Sequence, residues 1–280
     1  MALSIIKNLL ILQLIFLHCL ARDSGVESVY CKTPHCGLRN LACGNKKNMS
    51  SSCMPGAKMI SLAPHKTHLL HLINKFRNKA AAGYTRTLFP AGRMARMVWS
   101  AELENFAQMY IKKCASDLRP CMASSQFTVI GSIYDGLSYT GKPNLHKVTE
   151  ITDELLNGWF EDARFVTRQL LLHLTTDFRR PTVRLSVLLM ADRNTHVGCS
   201  AMRFASGFVN NFHMACAFAT DNMRNKPIYK IHAVPGRLCK KRDDTYRNLC
   251  AIGEKYNNRH KYQVGEVLPT SVEVLAGSTL

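Results

Sequence analysis

Residues 183–229 carry the clearest structural signal in the chain and read VRLSVLLMADRNTHVGCSAMRFASGFVNNFHMACAFATDNMRNKPIY. Apolar, partly alternating runs cover 183–191, 197–204 and 213–219, with turn-forming residues between them. This pattern predicts a small antiparallel sheet with one strand in each run. A hairpin-like return would bring Cys199 and Cys216 within the roughly 4.4–6.8 Å between Cα atoms that a disulfide tolerates. We therefore expect these two cysteines to be bonded.

The composition indicates a globular protein with a basic surface. The chain has 280 residues, of which 46% are hydrophobic and 20% charged, and its net charge is +18. Such a chain is too apolar for disorder, and its charge favours anionic partners such as acidic glycans or phospholipid surfaces. No nucleic-acid-binding motif occurs in the sequence, so nucleic acid is not an expected partner.

The first segment, residues 1–21, has the features of a signal peptide. Lys7 precedes a long apolar run, which ends in the small residue Ala21. A signal anchor is the alternative, but the run falls short of the roughly 20 uninterrupted apolar residues of a spanning helix. No later stretch is a transmembrane candidate. We expect a secreted, extracellular protein.

The cysteine count fits an exported chain. Of the eleven cysteines, Cys19 lies in the predicted signal peptide, which leaves an even number for five disulfides. The spacings lack the repeated C-x-x-C form of a structural zinc site. Residues 22–60 have little hydrophobic periodicity and are predicted to form a cysteine-rich loop. Asn48-Met49-Ser50 in this loop is a glycosylation sequon, which indicates a glycoprotein.

Three helices are predicted from apolar residues at helical spacing. They fall within 64–82, within 91–114, where Ser100 is the expected N-cap, and within 146–164. Residues 127–141 are rich in Gly, Ser and Tyr and are predicted to form a loop, and residues 170–181 a connector.

Several motifs resemble the CAP superfamily, which contains cysteine-rich secretory proteins, insect venom antigen-five proteins and plant pathogenesis-related proteins. They are L-H-L-I-N-K-F-R at 70–77, M-x-W-x-x-x-L-x-x-x-A from Met97, and H-V-G-C-S-A-M-R-F, H-M-A-C-A-F-A-T-D-N and K-P-I-Y in the stretch quoted above. The insect antigen-five branch is the most similar. The resemblance spans about 30–229 and implies a disulfide-rich α+β fold, a three-layer α/β/α sandwich with a small antiparallel sheet.

The resemblance also implies a domain organisation and a disulfide pattern. A CAP (SCP-like) domain would cover 61–229, and a C-terminal extension with a polar, poorly ordered tail from 257 would cover 230–280. Cys239 and Cys250 are expected to close a last bridge in this extension. By resemblance, the bridges of the N-terminal loop would pair Cys31 with Cys43, Cys36 with Cys121, and Cys53 with Cys114.

The family has a cleft lined by two histidines and two acidic residues, which binds a divalent metal in some relatives. Here Leu118 and Leu185 stand at the histidine positions. Ser132 replaces the acid of the G-E-N motif, and Asp162 replaces the glutamate of W-x-x-E. Because leucine can neither ligate a metal nor carry a proton, we expect no catalytic residue, no metal and no cofactor. His65, His68 and His71 have helical spacing that could hold a metal, although solvated helix histidines are the expected interpretation.

These observations predict a non-enzymatic, allergen-like CAP-domain protein that acts as a monomeric binding or effector protein in the extracellular space. Analogy with insect relatives suggests salivary, venom or reproductive secretions. Its partner would be an unknown extracellular protein, glycan or lipid. The alternatives are a lipid or sterol carrier and a metal-dependent hydrolase, which the missing cleft residues disfavour.

Overall fold

The computed structural model describes residues 29–84, 87–115, 119–175 and 182–258. The predicted signal peptide, Leu118 and residues 259–280 of the predicted tail therefore lie outside the described residues. No helix within the described ranges has the length and apolar character needed to cross a membrane.

The described residues contain five α-helices, seven strands and three short 3-10 turns. The helices are α1 Lys66–Ala81, α2 Ala101–Ile111, α3 Val148–Glu161, α4 Arg168–Leu172 and α5 Val183–Met190. The strands are β1 Lys58–Ile60, β2 Ala91–Arg93, β3 Val98–Trp99, β4 Gly131–Thr140, β5 His196–Ser206, β6 Val209–Phe218 and β7 Lys230–Ile231. The 3-10 turns are Gly37–Arg39, Ala63–His65 and Asp162–Phe165.

The sheet is mainly antiparallel and has the order β1-β5-β6-β4, with β3 parallel to β5. Strands β5 and β6 confirm the two predicted around Cys199 and Cys216. These cysteines are directly opposite in the β5–β6 register and are bonded, with their Cα atoms 4.0 Å apart. A two-residue turn joins the strands, and Gly207 supplies its positive φ of 59°.

Two predictions about this region are wrong. Residues 183–190 form helix α5 and not a strand, because the buried side chains include Val183, Ser186, Val187 and Met190, which recur at helical spacing. A short apolar run cannot by itself distinguish the two structures. Residues 131–140 form strand β4 and not a loop, paired with β6 over its whole length. Gly136 suits this strand because the ring of His213 fills the space that a Cβ there would need.

The two faces of the sheet pack on different helices, which makes three layers. Along β6, Met214, Cys216 and Phe218 lie in the core shared with α1, α3 and α5. The alternate residues Ala215 and Ala217 lie in the smaller core shared with α2. This period-two alternation is the reason why one strand serves both cores.

Helix α2 lies directly against the backbone of β5. Ser100 caps the helix as predicted, and its side chain accepts a hydrogen bond from the Leu103 amide. A Cβ on Gly198 would lie 2.1 Å from the backbone nitrogen of Glu104. Only glycine therefore allows the helix to approach the strand this closely.

Asn74 and Arg77 of α1 connect this helix to the rest of the domain. The Asn74 side chain donates to the carbonyl of Met97 and accepts from its amide, at 2.9 and 2.8 Å. The fully buried Arg77 guanidinium donates to the backbone carbonyls of Ala95, Leu189, Ala191 and Asp192. Both side chains thus satisfy buried backbone groups that helices and strands leave unpaired.

Disulfides attach the segments on either side of the sandwich. The structure pairs Cys31 with Cys43, Cys36 with Cys121, Cys53 with Cys114, Cys199 with Cys216, and Cys239 with Cys250. These are the pairs expected from the sequence and the resemblance. Two of them connect the N-terminal loop to the region around the end of α2, so this loop is fastened to the domain at both ends.

Candidate binding cleft

Helix α5 brings three of the four expected cleft positions together. Its first turn carries Leu185, which is half-buried at the edge of the larger core. Thr182, just before the helix, bonds Asp162 at the end of α3. Arg184 donates from Nη2 to the carbonyl of Ser132 on β4 at 3.0 Å. Leu185, Asp162 and the buried Ser132 therefore lie around the start of α5, and this region is here called the cleft.

Asp162 is not available as an isolated carboxylate. One of its oxygens accepts a hydrogen bond from the Thr182 hydroxyl. The residue is also the C-cap of α3, where its backbone amide donates to the Phe160 carbonyl, and it begins the 3-10 turn that follows. The side chain therefore has a structural role in joining α3 to α5.

The Arg184 guanidinium contacts the cleft backbone through its bond to the Ser132 carbonyl. It lies 3.8 Å from Asp221 Oδ1, while Arg119 Nη1 lies 3.1 Å from Asp221 Oδ2. Asn222 donates from Nδ2 to the Arg184 carbonyl at 3.3 Å. One carboxylate thus lies between two guanidinium groups, and we call Arg119, Arg184 and Asp221 the arginine cluster.

Burial and the neighbouring charges act in opposite directions on this cluster. Burial lowers the pKa of Arg184, while Asp221 raises it and Arg119 lowers it further. Burial also lowers the pKa of nearby His35, although Asp221 opposes that shift. Arginine side chains stay protonated in proteins, so Arg184 carries its charge. The arginine cluster therefore holds two guanidinium charges and one carboxylate.

A family comparison shows what this surface corresponds to. The model of CAP, the cysteine-rich secretory protein family, matches residues 70–218, which include most of α1, the helices α2 to α5 and the long strands β4, β5 and β6. The chain belongs to the CAP family.

The chain is similar to named proteins of Tabanus yao and Aedes aegypti. The chain is similar to Tabinhibitin 1 of Tabanus yao, with 28% identity over 226 residues that cover 80% of this chain and 87% of the relative. Tablysin 15 of the same organism has the same identity and coverage. Venom allergen-1 of Aedes aegypti is 23% identical and covers 82% of this chain and 87% of its own length.

Solved CAP structures share the fold. BmVAL-1 has a TM-score of 0.55 and 18% identity, and the match covers 71% of this chain and 98% of that one. NaASP2, solved with Zn²⁺, has a TM-score of 0.52 and 20% identity, with 71% and 100% covered. At these identities the match shows the α/β/α sandwich and nothing about ligands.

The residues of this CAP cleft do not fit a zinc ion. Zinc takes imidazole, thiolate and carboxylate ligands, usually four in number. At the described cleft positions, the only side chain of this kind is Asp162, which is bonded to Thr182. The charged Arg184 beside Ser132 would repel a divalent cation.

Other clusters of potential ligands in the described ranges do not fit a metal either. His35 groups with Cys36 and Cys121, and Glu254 with Cys239 and Cys250. In both groups the cysteines are bonded to each other and cannot act as thiolates. The helical histidines have separate partners: His68 Nε2 lies 2.6 Å from Asp153, and His71 Nδ1 lies 3.0 Å from the Tyr246 hydroxyl.

The arginine cluster could not have been found in the sequence. Its members lie on three different segments, and Arg119 and Asp221 are separated by 102 residues. Arg184 is adjacent to a cleft position, but nothing in its local pattern indicates that it turns toward β4. Only the packing of α5 against the start of β4 brings the two together.

Proposed function

We propose that this protein is a secreted, non-enzymatic CAP-domain binding or effector protein of the extracellular space, of the kind released in insect salivary, venom or reproductive secretions. The observation that carries the proposal is the arginine cluster. The ion-paired guanidinium of Arg184 and the side chain of Leu185 lie where acid-base catalysis would need two titratable groups. Those groups would need pKa values near neutral. On this proposal the CAP fold is retained, and the titratable residues of its cleft are replaced.

Export is supported by the first 21 residues, by the sequon at the exposed Asn48, and by five disulfides in the structure. Disulfides persist in oxidising compartments and are rare in the cytosol. The named relatives from Tabanus and Aedes support venom- or saliva-like secretion by analogy.

The test is expression of the full chain in insect cells. We expect the protein in the medium, with a mature N-terminus at Arg22 by mass spectrometry and a glycan mass that Asn48→Gln removes. Retention in the cell membrane with residues 1–21 intact would contradict export.

The non-enzymatic part needs a separate assay. The secreted protein should show no hydrolysis of ester, phosphoester and peptide substrates above a heat-inactivated sample. Turnover that Asp162→Asn abolishes, with unchanged thermal stability, would contradict this part of the proposal.

A further inference from the structure

We propose that the C-terminal extension binds a sulfated glycan through five exposed cations. These cations, here called the extension patch, are Arg237, Lys240, Lys241, Arg242 and Arg247. The inference rests on the extracellular location proposed above and adds a surface and a partner class to it.

The extension is a fixed structure and not a loose tail. The Cys239–Cys250 disulfide closes it, and inside the loop the Asp243 amide donates to the Leu249 carbonyl at 2.9 Å. The amides of Gly236 and Leu238 donate to the carbonyls of Ala91 and Gly92 on β2, at 2.9 and 2.8 Å. Asn248 bonds Asn78 of α1 through both its amide and its side chain. A patch on such a loop loses little conformational entropy when it binds.

Residues 240–244, K-K-R-D-D, contain three cations and two acids, so their charge appears nearly balanced in the sequence. In the structure, one of these acids pairs with a cation of the CAP domain instead. The carboxylate of Asp243 is 5% exposed and accepts from Arg96 Nη1 at 2.9 Å. Burial favours its neutral form, but Arg96 and the amides of Thr245 and Tyr246 lower its pKa overall. Asp243 therefore neutralises Arg96 of the CAP domain and not the cations beside it in the sequence.

Glu254 also forms an ion pair with an arginine of the CAP domain. Its side chain is 4% exposed and accepts from Arg93 Nε of β2 at 2.9 Å. The remaining acid of the segment, Asp244, is exposed and lies 3.9 Å from Lys241 Nζ, a distance at which solvent screens most of the attraction. Within the described ranges, the charged groups of Arg237, Lys240 and Arg247 form no ion pair within 4.0 Å, although the Lys240 backbone amide donates to both Glu254 oxygens at 3.3 and 3.1 Å. The outward face of the extension is thus strongly positive.

The cations of the patch are close to one another. Lys240, Lys241 and Arg242 are consecutive, and Arg242 Nε donates to the Gly236 carbonyl at 3.3 Å. This contact places the Arg242 side chain across the loop, next to the backbone that precedes Arg237. At a Debye length of about 8 Å in physiological salt, neighbouring cations in such an array act together on a polyanion.

A sulfated glycan fits this surface better than a lipid bilayer does. Peripheral membrane binding usually uses an amphipathic helix that inserts its apolar face, and residues 232–258 contain no helix. Among the described residues, the most exposed large hydrophobic side chain is Phe208 on the β5–β6 turn, and the extension exposes Val234, Leu238 and Ile252 to a smaller degree, without a helix to present them to a bilayer. Guanidinium groups bind planar or tetrahedral oxyanions through paired hydrogen bonds, which suits repeated sulfates.

The experiment compares two triple variants of the full-length, oxidised protein on immobilised heparin. Lys240→Ser/Lys241→Ser/Arg242→Ser removes the centre of the patch. Lys46→Ser/Lys58→Ser/Lys142→Ser removes the same charge from exposed positions elsewhere. The wild type and the control should elute well above about 0.15 M salt. The patch variant should elute near it, with about tenfold weaker binding of a heparin oligosaccharide, since three lost pairs at about 0.5 kcal/mol each give that factor.

Equal losses in the two triple variants would overturn the proposal, because binding would then follow net charge alone. Binding to phosphatidylserine vesicles that only the patch variant loses, without heparin binding, would replace the glycan with a membrane surface. The double variant Lys240→Ser/Lys241→Ser keeps the Arg242–Gly236 contact and should lose an intermediate share of affinity at unchanged melting temperature. The assay uses purified protein, so a failure of secretion would leave its result intact.

Discussion

Arg77 lies in a stretch that matches a CAP-family motif, whereas Arg184 lies beside a position where this chain departs from the family. Arg77 is fully buried, lies in the L-H-L-I-N-K-F-R stretch of α1, and bonds backbone carbonyls alone. Arg184 lies in the cleft, bonds the Ser132 carbonyl and faces Asp221. Burial lowers the pKa of both, that of Arg77 to about 10.

The comparison separates what the fold needs from what the cleft does. Arg77 satisfies the carbonyl of Ala95, between β2 and β3, and that of Ala191, just after α5, and this requirement is independent of function. Arg184 lies where the family resemblance places titratable ligands, and it faces Asp221 there. We propose that the sandwich stays intact while its cleft exchanges metal ligands for an ion cluster.

Removal of Arg77 is the largest expected effect. Arg77→Met leaves the carbonyls of Ala95, Ala191 and Leu189 buried without their donors, and it should destabilise the protein by about 3–5 kcal/mol or prevent secretion. Urea unfolding followed by circular dichroism measures it. Lys75→Met on the exposed side of the same helix should stay within about 0.5 kcal/mol. Equal effects of the two changes would contradict a structural role for Arg77.

The contact between α2 and β5 gives a second structural test. Gly198→Ala places a methyl group 2.1 Å from the Glu104 nitrogen, and it should cost about 1–3 kcal/mol because a rigid helix must move. Gly158→Ala is the matched control. This glycine is exposed in the middle of α3 with nothing within 4 Å, so alanine should stabilise the helix by up to about 1 kcal/mol. Effects of the same sign in thermal unfolding would contradict the packing described here.

The arginine cluster should have a smaller effect that shows as coupling. Asp221→Asn removes the counter-ion of Arg184 and should destabilise by about 1–2 kcal/mol. When Arg184 is already methionine, the same change should cost less, with an interaction energy of at least about 0.5 kcal/mol in a double-mutant cycle. Additive effects would show that the two residues are not linked.

Lowering the pH should leave the charge of both arginines unchanged. It should reduce the stability of the fold through half-buried histidines. His213 lies between Tyr134 and Phe204, and its Nδ1 lies 2.8 Å from the Tyr134 hydroxyl. Burial lowers its pKa below 6.5, although Asp135 partly opposes this. Below pH 6.5 the unfolded chain therefore binds more protons at this position, and stability falls as the pH falls. His213→Gln should reduce the slope of melting temperature between pH 6.5 and 5. An unchanged slope would contradict this assignment.

Much of the fold could be predicted because it follows from local pattern. Ser100 and the spaced apolar residues of α2 identify that helix, and the positions of Cys199 and Cys216 identify the β5–β6 pair. The helix α5 could not be distinguished from a strand, because eight apolar-rich residues fit both periods. Strand β4 could not be recognised in the sequence because of its glycines and serines. Their place in the sheet depends on partners in the paired strand β6, such as His213.

The contacts within the cleft could not be predicted from the sequence. Matching motifs placed Leu185, Ser132 and Asp162, but they could not show that Arg184 and Asp221 come together there. Arg184 and Asp221 are 37 residues apart in the sequence, so their contact depends on tertiary packing.

The central claim, that the cleft has exchanged metal ligation for an internal ion cluster, is tested most directly by zinc content. The secreted, oxidised protein would be equilibrated with zinc, dialysed without chelator and measured by elemental analysis. We predict zinc far below one ion per chain, unchanged in Asp162→Ala. About one zinc per chain in the wild type, lost in Asp162→Ala, would contradict the account and place a metal site in the cleft.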